Sequence, residues 1–436
     1  MNTKKQFFKY VSFSMLSAIG MSCYCLADTI FIANGVGING LTALNLVMPI
    51  YNIIFAIGFL LGIGGATRYS ILNAQKKEKE ASDYYSYSLT LGIILSLPIM
   101  VIGYIFSNKI VMMLGADQTI LPTASLYLKS FILFTPFFIL SQIFCAFIRN
   151  DFNPKLASIA SFTGTIFNIV FDYILVFPFK LGMMGAALAT GFSPIVTILI
   201  CSFHFISKKN HFHFKKIKYS IKPIIQIIQT GLPSFITELS SGLVIFTFNY
   251  VILSISGNVA VASYGILSNL AVFVIGFYNG ISQGIQPLLS HHYGAGKLDK
   301  MKEYLKLAIS TSFIISIIMM SFMLLFPQQI VDVFNSDNNK IMANIAIEAL
   351  PIYFSSFFFI GLSLIFISYF TSTNQVKSSS LISILRGGVI IIPILFIFSY
   401  LFHIIGVWLA YPVSELIILI IGIFLIKNQT LITKKY

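Results

Sequence analysis

Residues 207–222 read SKKNHFHFKKIKYSIK, and this polar, basic run lies almost at the midpoint of a chain of 436 residues. In either direction away from it the sequence turns apolar and stays so nearly to the termini. Hydrophobic residues make up 57% of the whole and charged residues only 10%, and the mean hydropathy is +0.89. A soluble globule covers itself with roughly a quarter charged residues. A soluble enzyme is therefore excluded, and lipid is the solvent for most of this chain.

A helix that crosses a bilayer takes about 20 apolar residues. Twelve such segments are expected, near 10–34, 41–72, 84–106, 122–148, 156–177, 184–206, 224–255, 259–293, 303–326, 341–370, 378–400 and 404–427. Six precede the basic run and six follow it, which predicts an all-α polytopic membrane protein built as two six-helix lobes. The N-terminal lobe is expected at 1–206, a cytoplasmic basic linker at 207–222 and the C-terminal lobe at 223–436. Little chain remains for a folded domain outside the membrane.

The two halves resemble each other. A shift of 220 residues places Gly37 on Gly257, Gly64 on Gly284, Ser70 on Ser290 and Lys77 on Lys297. A shift of 221 places Asn153 on Asn374, Gly185 on Gly406, Leu188 on Leu409 and Ala189 on Ala410. An even number of helices per half gives both halves the same orientation, so the lobes are related by a pseudo-two-fold axis along the membrane normal, which is a transporter architecture. Proline or glycine within many helices, such as Pro49, Pro98, Pro194, Pro233 and Pro412, supplies bends that neighbouring helices tolerate.

The net charge is +14, yet the basic residues sit in short hydrophilic gaps, not on a folded face, so no nucleic-acid partner is expected. Lys4, Lys5 and Lys9 share one side with Lys76, Lys77 and Lys79, with Arg149 and Lys155, with the central run, with Lys297–Lys306 and with Lys377. By the positive-inside rule that side is cytoplasmic and holds both termini. The N-terminus has the basic start of a signal peptide, but its apolar stretch is studded with Ser and ends in Asp28, so it reads as a retained first helix. Cys23, Cys25, Cys145 and Cys201 all fall in apolar segments, so neither a disulfide framework nor a metal site is expected.

A carboxylate at bilayer depth costs about 2.5 to 3.5 kcal/mol on insertion scales, and each one invites a functional reading. Four stand out: Asp28, Asp172, Glu238 and Glu415. Asn168 and Asp172 are four residues apart and share one helix face, and Thr190 in GAALATG can add a hydroxyl from the next helix. A carboxyl group held away from water disfavours its charged form. Such a group can take up and release a proton, or bind sodium with help from amide and hydroxyl oxygens. Glu238, flanked by Thr237, Ser240 and Ser241, is a second-lobe acid that can attract a cation. Arg386 and Glu415 read as a structural pair, His291 and His292 as solvated boundary residues, and His211 and His213 as parts of the linker. The GAGK turn is no phosphate loop, because no strand precedes it and no Ser or Thr follows the lysine. The 43 Phe and 21 Tyr are expected mostly as lipid-facing bulk, with some lining a cavity that would suit flat hydrophobic cations.

Several stretches carry a family resemblance: DTIFIANGVGINGLTALNLVMP from Asp28, GLPSFITELSSG from Gly231, YGILSN from Tyr264, GISQGIQPLLSHHYGAGK from Gly280, and NIVFDYIL with GMMGAALAT around Asn168 and Thr190. Together they resemble the multidrug and toxic compound extrusion (MATE) family over essentially the whole chain, and GLPSFITEL is most similar to its MepA-like branch. The resemblance implies a twelve-helix antiporter that exports organic cations against an inward proton or sodium flux. It also implies an ion-coupling site at Asp28, Asn168, Asp172 and Thr190, with Glu238 only similar in location to the second-lobe acids of other members. Helix ten offers no Asp, only Glu348, which favours protons at the first lobe, and helix one lacks the early proline of many members.

The expected protein is thus a monomeric antiporter in the inner membrane of a bacterium. Its partners are cationic small molecules and the lipid bilayer, and it has no cofactor beyond the driving H+ or Na+. The alternative is a flippase for lipid-linked oligosaccharides. That would call for several inward basic residues, and Arg386 is the one plausible candidate. A membrane-embedded enzyme ranks last, because no histidine and acid converge at a suitable depth.

Overall fold

The computed structural model describes residues 2–215, 220–335 and 339–433, so positions 216–219 of the expected linker lie outside the described residues. Every regular element among the described residues is helical. The first lobe contains α1 (Thr3–Gly35), α2 (Ile38–Ala74), α3 (Glu78–Ile105), α4 (Leu121–Ile132 followed by Thr135–Asn150), α5 (Pro154–Val176) and α6 (Gly182–Ile206). The second contains α7 and α8 within one helical run, Ile221–Gly294, then α9 (Leu298–Leu325) and α10 (Lys340–Phe354 followed by Phe357–Ser372). It closes with α11, which begins at Val376–Ile384, and α12, which reaches Thr433. These lengths and hydropathies describe a multi-pass membrane protein.

The internal repeat is written into the backbone. Gly257 breaks the long run into α7 (221–256) and α8 (258–294) at φ 73°, ψ −169°, and Gly37 between α1 and α2 has φ 89°, ψ −167°. Only glycine adopts this conformation freely. At the opposite end Lys76 (φ 63°) matches Gly296 (φ 70°), and Phe152 (φ 62°) matches Asn374 (φ 59°). The last pair is 222 residues apart, so at that turn the structural register is one residue off the sequence pairing of Asn153 with Asn374.

Several helices differ from expectation. α4 and α10, each expected as one segment, bend by 49° and 45° at residues 133–134 and 355–356, with Pro136 of α4 among the prolines expected to supply bends. Short helices Ser107–Met113 and Pro327–Asp332 occupy two loops. α11 passes through a π turn, Leu385–Val389, with Gly388 at φ 153°, and meets α12 at His403, φ 51°. α1, without its early proline, runs unbroken.

The two largest apolar cores fall mainly in the two halves, and a smaller third gathers around Phe370 and Ile418 in the second half. The first gathers Ile54, Leu61, Phe131, Ile139 and Phe147, and the second Tyr264, Tyr278, Phe354, Phe357 and Trp408. The largest fully buried side chains are all Tyr or Phe, so the aromatics fill the interior more than the lipid-facing expectation allowed.

The histidines are also more engaged than expected. Asp151, fully buried, accepts from the His211 backbone N–H at 2.9 Å and pairs with His204 Nε2 at 2.8 Å and His211 Nδ1 at 2.9 Å. Phe212 is buried against Tyr69, Tyr85 and Phe147, so the start of the linker is pinned to the first lobe. His292 is buried, with Nδ1 2.8 Å from the Leu288 carbonyl, and His291 packs edge-on against Phe152. Neither is a solvated boundary residue.

The lobes meet toward the end of the bundle that carries the N-terminus and the linker. A methyl group added at Gly64 on α2 would come within 2.2 Å of the Ile227 carbonyl oxygen on α7, and one at Gly231 within 1.9 Å of the Leu60 carbonyl oxygen. The repeat partner of Gly64, Gly284 on α8, packs in the same way on α1, where an added methyl would lie 2.8 Å from the Val11 Cα. Missing side chains thus let α2 approach α7 and α8 approach α1, a symmetric exchange between lobes. Polar bonds line the same seam: Gln286 donates to Thr67 at 2.8 Å, Asn150 donates to Gln286 at 2.9 Å, and Arg68 donates to Thr230 at 3.1 Å. Among the described residues, no hydrogen bond between the lobes lies farther toward the Gly37 and Gly257 turns than that from Ser22 to the Val272 carbonyl.

Candidate functional site: a cavity between the lobes with a buried acid pair at its side

A cavity of about 410 Å³ lies between the lobes. α1, α2, α4, α5 and α6 line it from the first lobe, and α7, α8 and α10 to α12 from the second. The bend in α4 and the π turn in α11 both fall on helices of the cavity wall. Gly387, beside Ser240 of α7, lies within that turn. Interruptions of this kind free backbone groups and mark functional stretches of helices.

The four first-lobe residues expected from sequence come together. Asp28 of α1 and Asp172 of α5 are buried, and their carboxyl groups lie within electrostatic range of each other. Asn168, one turn before Asp172, is also buried and donates from Nδ2 to Thr190 Oγ1 of α6 at 3.2 Å. Four oxygens here have no hydrogen-bond donor from the protein: Asp28 Oδ1, Asn168 Oδ1 and both carboxylate oxygens of Asp172. Two carboxylates this close cannot both stay charged without a proton or a cation between them. The unpartnered oxygens can serve either.

Asn168 and Thr190 face the main cavity. Asp28 instead faces a void of about 10 Å³, also lined by Tyr24, Tyr51, Tyr127 and Thr190. That is about the space of one water molecule. Tyr24 and Tyr51 line both spaces, and their hydroxyls are hydrogen-bonded to each other. Tyr127 reaches Thr190. Tyr24 and Tyr51 thus stand between the cavity and the void at Asp28, Tyr127 lines that void, and sequence reasoning found none of the three.

Glu238 of α7 lines the cavity from the second lobe, within electrostatic range of Cys25 and Tyr51 across it. Arg386 and Glu415 form the expected pair, Nε to Oε1 at 2.7 Å, while Glu415 Oε2 is buried without a partner. Arg149 corrects the sequence reading twice. It is not a loop cation but sits in the last turn of α4, 8% exposed, and it lines the cavity, so Arg386 is not alone as an inward basic residue. A signal for it existed: Gln142, Cys145 and Arg149 recur at helical spacing, and all three face the cavity. Among the described residues, no group of three or more His, Cys, Asp and Glu could hold a metal ion.

The MatE family profile matches residues 14–174 and 233–397. Multidrug export protein MepA of Staphylococcus aureus (strain NCTC 8325 / PS 47) is 30% identical over 377 residues, covering 86% of this chain and 82% of that protein. Multidrug export protein MepA of Staphylococcus saprophyticus subsp. saprophyticus is 28% identical over 399 residues, covering 90% and 87%. Among solved structures, the outward-facing conformation of a multidrug resistance MATE family transporter of the MOP superfamily matches with a TM-score of 0.94 at 21% identity. That match covers 100% of this chain and 98% of the other. A MATE crystal structure in complex with MaL6 matches with a TM-score of 0.95 at 21% identity over the same shares. At these identities the structures speak for the fold, twelve helices in two lobes.

Proposed function

The chain belongs to the MatE family, a transporter family and not an enzyme family, and on that premise we propose that it is a secondary active antiporter exporting organic cations and drugs from the cytoplasm. Export is coupled to inward flow of H+, or of Na+, through Asp28, Asn168, Asp172 and Thr190, with Glu238 as a cation-attracting acid on the second lobe. The observation that carries this reading is the buried pair Asp28 and Asp172, three of whose four carboxylate oxygens lack protein donors beside a cavity shared by both lobes. Multidrug export by the MepA relatives supports the substrate class. In this reading the protein is a monomer of the bacterial inner membrane with both termini in the cytoplasm. The seam at the terminus-bearing end is then the cytoplasmic gate, closed, and the structure is the outward-facing state.

The geometry supports alternating access. Protonating the acid pair removes a buried charge and changes what α1 and α5 need from each other, which biases the packing of α1 against α8. A flippase for lipid-linked pyrophosphates fits less well. Arg386 is already neutralised by Glu415, Glu238 adds a negative charge, and Arg149 alone cannot hold a pyrophosphate.

The test is efflux of a fluorescent organic cation from cells stripped of their own pumps, under imposed pH or sodium gradients. Wild type should export under one of the two gradients, and Asp28→Asn should abolish that driven efflux while still accumulating in the membrane. Full activity in Asp28→Asn would remove the coupling role, and no efflux under either gradient would remove the antiport reading.

A further inference from the structure

We propose that the floor of the cavity is an anion subsite built on Arg149, so that this transporter favours substrates carrying a carboxylate as well as a cationic aromatic body. The inference rests on the export reading above and names a substrate class for the same cavity.

Three observations converge. First, Arg149 is 8% exposed, yet it takes part in none of the ion pairs among the described residues. The nearest acid in sequence, Asp151, is taken up by His204, His211 and Tyr69. Second, the one hydrogen bond assigned to its guanidinium is from Nη1 to the neutral Gln283 Oε1 at 2.8 Å, and Nε is buried with no partner at all. A guanidinium carries five donors and is always charged. Leaving it buried against an amide and the thiol of Cys145 is costly unless a ligand completes it. Third, Arg149 lines the cavity, and its bond partner Gln283 lines it too, near the terminus-bearing seam. A carboxylate arriving there finds a planar fork suited to its two oxygens.

The cavity also holds a site for the other charge. Glu238 lies within electrostatic range of Cys25 on α1, whereas the deepest cavity-lining residue of α1 is Ser17. The cavity-lining residues of α1 run from Ser17 to Cys25, eight residues and about 12 Å of helix rise. A rigid zwitterion about a nanometre long, acid at one end and amine at the other, therefore reaches from the floor toward Glu238. Ser22, Asn279 and Gln142 offer hydrogen bonds between the two charges. A purely cationic molecule uses only the Glu238 half and leaves Arg149 uncompensated.

Two dyes with the same fluorophore isolate the carboxylate: rhodamine 110, a zwitterion with a free carboxyl group, and rhodamine 123, its cationic methyl ester. The measurement is binding to the purified full-length protein by fluorescence anisotropy, paired with efflux from pump-deficient cells. Wild type should bind rhodamine 110 about tenfold or more tightly than rhodamine 123, the size of effect a charge-assisted hydrogen bond supplies. Arg149→Gln should bring that ratio to about one, and Arg149→Lys should leave it intermediate. A wild-type ratio at or below one overturns the subsite without any variant, so a misfolded variant cannot shield the idea. An unchanged ratio in a folded Arg149→Gln overturns it as well and leaves Arg149 as a gate residue. Export of rhodamine 123 alone sinks only the subsite, whereas export of neither dye sinks the export reading and the subsite together.

Discussion

At the scale of single residues the proposed coupling site is held by few bonds. Thr190 Oγ1 is the acceptor that keeps Asn168 Nδ2 in place at 3.2 Å, and Asn168 Oδ1 is left buried without a partner. Thr190→Val keeps the shape and removes the acceptor, stranding a buried amide donor at a cost of about 1–3 kcal/mol. Driven efflux should fall several-fold and the melting temperature in detergent by a few degrees, with Thr190→Ser restoring both; equal behaviour of Val and Ser would assign the residue to packing alone. Asp28, Asn168, Asp172 and Thr190 were legible because carboxylates stand out in an apolar stretch and a spacing of four places two of them on one face. Tyr24, Tyr51 and Tyr127 were not, since a tyrosine in a membrane helix looks the same whether it closes a passage or meets lipid. Arg149 was misread because Asn150, Asp151 and Asn153 follow it, and a polar cluster between two apolar runs reads as a loop.

At the scale of elements, hydropathy reported how many helices there are and in what order, and it missed their breaks. The bend in α4 falls at Leu133–Phe134, where no glycine marks it; Pro136 in the first turn of the second segment is the one local cue. The Gly257 turn was legible through its match with Gly37, because a repeat exposes backbone demands that one copy hides. Close approach makes its own demand at the seam. Gly231→Ala would put a methyl 1.9 Å from the Leu60 carbonyl oxygen, and backbone on both sides cannot step aside. Overpacking of about 1–3 kcal/mol weakens the seam by about 5- to 150-fold. Ser17→Cys, near the cavity floor and in a background without the native thiols, should then be alkylated faster in that range when a thiol reagent is applied from the terminus-bearing side. Unchanged labelling would mean that α2 and α7 do not hold this end shut.

At the scale of the whole molecule, two lobes of the same plan were legible, and the state they adopt was not. Hydropathy is identical whichever end is closed; the closed end is decided by contacts between residues more than a hundred positions apart, such as Thr67 with Gln286 and Arg68 with Thr230. The contact of Thr67 with Gln286 also offers a way to hold the state. Transport by rocking requires this seam to part once per cycle. Cysteines at positions 67 and 286, bridged by a short bis-methanethiosulfonate reagent in a background without native thiols, tie α2 of one lobe to α8 of the other. Binding of a fluorescent cation should survive the bridge, because the cavity is already formed in this state. Efflux should fall to the background of pump-free cells and return when a reductant cuts the bridge. Either single cysteine, treated the same way, should leave efflux near that of its untreated form. Undiminished efflux from the fully bridged protein would mean that substrate crosses without the lobes parting here, and the rocking mechanism would have to give way to movement within one lobe.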